Sequence, residues 1–142
     1  MAGRRRLRAE IRQAERMARA VPDPRQRAAA LTNLAVEVAI GPGDIAEAER
    51  IVNSVTYEDH VIRHGRDFAV RVLAEQLVTV NVSEAERIAS TIRTDAERDE
   101  AFCNMARTLA TTKKRTAKRL IERIGNAPVK ERMLHDLVNG RL

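Results

Sequence analysis

The sequence predicts an all-α fold, a right-handed α-solenoid of four stacked helix-turn-helix copies with about eight helices. Three observations predict it. First, a four-residue seed recurs at Ala14-Glu15-Arg16-Met17, Ala48-Glu49-Arg50-Ile51, Ala85-Glu86-Arg87-Ile88 and Ala117-Lys118-Arg119-Leu120, in steps of 34, 37 and 32 residues. A period of this length marks paired helices that cannot bury their apolar faces alone and must stack. Second, apolar residues within each copy recur at i, i+3, i+4 and i+7, the helical period. Third, cap and stop residues fall between these runs.

The first helix, expected at 5–21, carries Leu7, Ile11, Ala14, Ala18 and Val21 as its apolar line. Arg5, Arg8, Arg12, Arg16 and Arg19 form a stripe on one face, expected opposite Leu7, Ile11 and Ala14. The second, at 24–40, starts where Asp23 can cap, Pro24 fits the first turn and Gln26 completes a capping box. Its apolar residues are Ala30, Leu31, Leu34, Ala35 and Val38, and Gly41-Pro42-Gly43 stops it. The third, at 45–55, opens on Asp44 with Glu47. The fourth, at 57–80, absorbs about five extra residues near Asp59 to His64 before the register returns at Arg66, Ala69, Leu73 and Leu77. Alternation over Val78-Thr79-Val80-Asn81-Val82 is too short for a strand and is expected as a frayed helix end.

Capping boxes at Ser83 with Glu86 and Thr94 with Glu97 start the fifth helix, 84–93, and the sixth, 95–111. A shift of 71 carries the first copy onto Ile92, Arg98, Ala101-Phe102, Met105-Ala106 and Leu109-Ala110. A shift of 103 reaches Ile124, Lys130, Met133-Leu134 and Leu137-Val138, so the last helices are expected at 114–124 and 128–139, the latter following Gly125. The copies span about 5–43, 44–82, 83–112 and 113–142 of one domain, 1–142.

Asp23-Pro24 at the inter-helix turn, Arg27 after it and Ala30-Leu31-x-x-Leu34-Ala35 in the second helix resemble HEAT repeats. The pattern recurs less fully at Arg66 with Ala69, Arg98 with Ala101 and Lys130 with Leu134. The period is nearer that of tetratricopeptide repeats, about 34 residues, so the chain resembles a HEAT/TPR-like α-solenoid. The resemblance implies a surface that binds another protein, and a place at the sensor end of a bacterial signalling ATPase.

Formal net charge is +6, arranged in blocks. Residues 1–30 carry nine basic and three acidic groups, 31–110 eight and fourteen, and 111–142 nine and three. Besides the arginine stripe, Lys113, Lys114, Arg115, Lys118, Arg119 and Arg123 load the seventh helix. Such blocks fit contact with an acidic protein surface, self-association of basic ends with an acidic middle, or phosphate binding. Nucleic acid is the weaker alternative. Base stacking needs aromatic platforms, and Tyr57, Phe68 and Phe102 are the only candidates, the last two at or beside core positions.

No constellation points to catalysis. His60 and His64 stand one helical turn apart, but Val61 occupies the place of a zinc-protease glutamate, and no metal or cofactor is expected. The break in the repeat around Tyr57, His60 and His64 is instead a candidate contact point, because binding residues gather in such irregularities. Cys103 is expected as a small buried hydrophobe, and His135 beside Asp136 points away from it. A single cysteine, no secretory h-region after Arg4-Arg5-Arg6 and no apolar run of membrane-spanning length predict a cytoplasmic protein. The expected function is a non-catalytic protein-interaction scaffold or sensor module, with a structural fragment of a longer array as a further alternative. Its expected contact residues are Arg5, Arg8, Arg12, Arg16, Arg19, Tyr57, His60, His64, Lys114 and Lys118.

Overall fold

The computed structural model describes residues 2–56 and 65–142. Among them are eight α-helices and no strand: α1 Ala2–Arg19, α2 Pro24–Ile40, α3 Ile45–Asn53, α4 Arg66–Leu77, α5 Val82–Ser90, α6 Asp95–Leu109, α7 Lys114–Ile121 and α8 Ala127–Val138. None of these is long and apolar enough to cross a membrane.

Capping chemistry sets most boundaries. The Asp23 carboxylate accepts the backbone N–H groups of Arg25 at 2.9 Å and Gln26 at 3.0 Å, satisfying donors that α2 leaves open at its start. Gly41 closes α2 through its N–H to the Glu37 carbonyl, 2.9 Å away, and the chain reverses at Gly43, whose φ of 75° suits glycine. Asp44 caps α3 by accepting from Glu47 N–H at 3.1 Å.

Two expected capping boxes are not formed. The cap of α5 is Asn81, which accepts from Glu84 N–H at 3.1 Å, while Ser83 lies inside the helix. Glu86 cannot reach back to Ser83 because its carboxylate is held by Arg119 and Arg123. Thr94 occupies the N-cap position of α6 without a side-chain cap bond, and Glu97 is turned to Arg71 Nε at 2.8 Å. The expected fraying at Val78–Val80 is a turn: α4 ends at Leu77, whose carbonyl accepts from Val80 and Asn81 N–H. Only part of the helix expected at 57–80 falls within the described residues.

The chain divides into two compact units, Met1–Ala69 and Val70–Leu142, the division falling inside α4. In the first, α2 packs against α1 and α3 around Leu31, Ala35, Val38, Ile51 and Val52. In the second, α6 packs between α5 and α7, and α7 meets α8, around Leu73, Ile88, Phe102, Met105 and Ile121. Each fully buried aliphatic or aromatic side chain contributes about 1.5–3 kcal/mol. Many of the remaining core positions are alanine, which lets helix axes approach.

The basic residue after the turn has a local task. Arg27 Nη1 donates to the Val21 carbonyl at 3.1 Å, and Arg98 Nη1, 71 residues on, donates to the Ile92 carbonyl at 2.9 Å. Each guanidinium ties the start of a second helix to the end of the helix before it, where carbonyls lack intrahelical donors. Arg98 also contacts Asp95 on its own helix. In the second unit, the carboxylate of Asp99 accepts the N–H groups of Gly125 at 2.9 Å and Asn126 at 3.1 Å, fixing the turn into α8.

Candidate functional site

The arginine stripe lies on α1, whose buried side is Ile11, Glu15 and Ala18. Leu7 and Ala14, expected in the core, are not buried. A glutamate replaces them inside because α3 brings a guanidinium to it. The stripe therefore flanks the buried line rather than standing opposite it.

Glu15 is the centre of a charged network. Arg50 Nη2 donates to both of its carboxylate oxygens, at 2.9 and 2.8 Å, and Arg19 Nη2 donates at 3.2 Å. Arg50 also grips Glu47 within α3, and Arg19 donates to Ser54 Oγ at 2.8 Å. The hydrogen bond from Arg50 holds the Glu15 carboxyl below its ordinary pKa, against an opposing push from burial. The same guanidinium lowers Glu47, and the two carboxylates raise Arg50 in turn, Glu47 more than Glu15.

The second unit repeats the arrangement. Glu86 of α5 receives Arg119 Nη2 at 2.9 Å from α7 and Arg123 Nη1 at 2.8 Å from the turn that follows it. Arg123 also donates to Ser90 Oγ at 2.8 Å and lies over the Phe102 ring, 5.1 Å from its centroid. Glu15 and Glu86 occupy equivalent places in the recurring seed, as do Arg50 and Arg119. The seed residues therefore carry pairing between successive first helices. Sequence reasoning used Glu15 and Glu86 only as register marks; the juxtaposition of Glu and Arg in three of the four seeds was the signal for their pairing.

The expected contact residues divide accordingly. Arg19 is committed to Glu15 and Ser54, and Arg16 bonds Gln13 Oε1. Arg5, Arg8 and Arg12 are exposed and make no hydrogen bond or ion pair among the described residues. Arg119 on α7 and Arg123 just after it are turned to Glu86, so the expected basic load reduces to Lys113, Lys114, Arg115 and Lys118, all exposed. Tyr57, His60 and His64 lie outside the described residues.

The remaining side chains with chemistry do not converge. Cys103 is buried, and desolvation pushes its thiol pKa up, which disfavours the nucleophilic thiolate. His135 Nδ1 stands 3.7 Å from Asp136 Oδ1 on an exposed helix face, beyond hydrogen-bond reach. Phe102 is buried, whereas Phe68, in the first turn of α4, is only half-buried. Among the described residues no group of three or more His, Cys, Asp or Glu side chains could hold a metal. Comparison of the chain with protein-family models, curated proteins and solved structures finds no match.

Proposed function

We propose that the chain is a HEAT/TPR-like α-solenoid of four helical hairpins that acts as a non-catalytic scaffold, binding a protein with an acidic surface. The observation that carries this reading is the basic row of α1. Arg5, Arg8 and Arg12 are exposed and make no hydrogen bond or ion pair among the described residues, Arg12 feeling Glu47 only as a nearby charge, while Glu15 beside them is consumed by Arg50 and Arg19. Three exposed guanidiniums on one helix face form a fork-like donor array suited to carboxylates. The recurrence of Glu15–Arg50 in Glu86–Arg119 supports stacking of the copies, since each pair joins the first helix of one copy to that of the next.

A titration against a generic DNA duplex of about 20 base pairs tests the reading, because phosphate contacts make affinity fall steeply with salt. A protein-binding scaffold gives at most weak binding at physiological salt. Tight binding with a steep salt slope, abolished by R5E/R8E/R12E, contradicts the proposal.

A further inference from the structure

The four first helices can be compared position by position. Where α1 has Ala14, the others have Ala48, Ala85 and Ala117, each 0% exposed; where α1 has Met17, they have Ile51, Ile88 and Leu120, each 0% exposed. In α1 itself Ala14 is half-buried and Met17 is 65% exposed. Two core-type positions thus lie open on one side of α1, in a shallow depression that Arg6, Ala9, Glu10, Gln13 and Arg16 also line.

Arg16 stands at the edge of this face, in the place of Arg50 and Arg119. Those two each receive a glutamate from another first helix, Glu15 and Glu86. Arg16 receives none among the described residues. Its intrahelical partner is the neutral amide of Gln13, where Arg50 has Glu47 and Arg87 has Glu84. The face therefore combines the apolar Ala14 and Met17 with a guanidinium, Arg16, that no carboxylate holds, while Glu10 on the same side is taken up by Arg6; it is complementary to what α1 and α5 present elsewhere. The glutamates they present share a context: Ile11 precedes Glu15 by four residues and Ala18 follows by three, as Val82 and Ala89 flank Glu86.

The opposite end of the pattern differs. In α7 the places of Ile11 and Glu15 are taken by Lys114 and Lys118, both exposed. A second copy offering α7 to α1 would set two ammonium groups against Arg16, a like-charge contact that disfavours end-to-end pairing of α7 with α1.

We propose that the open side of α1, formed by Ala14, Met17 and Arg16, docks an amphipathic helix of another polypeptide that presents a glutamate with a branched aliphatic residue four positions before it. This rests on the protein-binding reading above and specifies the partner's chemistry. The incoming glutamate pairs with Arg16 as Glu15 pairs with Arg50, and its aliphatic neighbour covers Met17. The exposed residues Ala2 to Glu10 extend α1 beyond the start of the alignment with α3, and their arginines Arg4, Arg5, Arg6 and Arg8 draw acidic groups flanking the same helix.

The test makes the chain its own probe. The variant K114I/K118E/R16E presents the glutamate and aliphatic residue on α7 while its own receiving face is reversed, so it can offer a helix but not accept one. Mixed with the wild-type chain in sedimentation velocity, it is expected to form a 1:1 complex. R16E or M17E in the receiving chain should weaken that complex at least about tenfold, or about 1.4 kcal/mol. Circular dichroism checks that each variant is folded, and K118E/R16E replaces the triple variant if isoleucine at position 114 disturbs α7. No complex between folded chains, or a complex indifferent to R16E, overturns the proposal. Neither outcome touches the broader protein-binding reading, which the duplex titration tests separately.

Discussion

Replacing Glu15 by glutamine should destabilise the protein by about 1–2 kcal/mol. Glu15 is 9% exposed, and its carboxylate accepts three guanidinium contacts, two from Arg50 and one from Arg19. Hydrogen bonds to charged groups contribute about 1.5–3 kcal/mol when removed from a buried site. Arg50, however, is half-exposed and retains Glu47, so solvent screening reduces the loss. Glutamine also keeps the shape and one acceptor oxygen. For a chain of this size the change corresponds to roughly 2–8 °C in Tm. Thermal and urea unfolding by circular dichroism would measure it, with Glu10→Gln as the exposed control on the same helix, where the change should stay within about 0.5 kcal/mol. A double-mutant cycle of E15Q with R50Q should give a coupling of about 1 kcal/mol. Loss no greater than in E10Q, or strict additivity of E15Q and R50Q, would refute the pairing as an energetic contact.

Asn81→Ala should cost about 1 kcal/mol because Asn81 caps α5, whereas Ser83→Ala should change stability by less than about 0.5 kcal/mol; equal effects in urea denaturation would restore the cap to Ser83. Glu15 and Glu47 both have folded-state pKa values depressed by Arg50, so the stability they contribute is complete above the unfolded value of about 4.3 and is lost as pH falls through the depressed values. The urea midpoint should therefore drop on that acid limb, and E15Q should flatten it. Leu73, fully buried in the second unit, should cost about 2–5 kcal/mol on truncation to alanine, and a smaller loss in chemical denaturation would mean the cavity collapses.

The helices themselves were open to sequence reasoning because their signals are local. Asp23-Pro24 and Gly41-Pro42-Gly43 bracket α2 at the expected 24–40, and Asp44 starts α3 where its carboxylate can reach Glu47 N–H. Long-range competition defeated the local rules elsewhere. Glu86 and Glu97 satisfy the capping-box spacing, yet arginines distant in sequence hold them, Arg119 and Arg123 for the first and Arg71 for the second. On α1 the apolar periodicity favoured Leu7 and Ala14 for the core, but burial of Glu15 against Arg50 selects a different face. The basic stripe was visible as spacing. Which of its members are free was not, because Arg19 meets Ser54 only after α1 and α3 come together.

Quantitative affinity capture with the wild-type chain and with R5E/R8E/R12E, nuclease-treated and resolved by mass spectrometry, tests the central claim most directly. The account predicts a discrete protein, acidic on its binding surface, that the wild type retains and the charge-reversed variant loses while remaining folded. An identical capture profile for the two chains, or retained material consisting of nucleic acid before nuclease treatment and nothing after it, would contradict the claim that α1 recognises a protein.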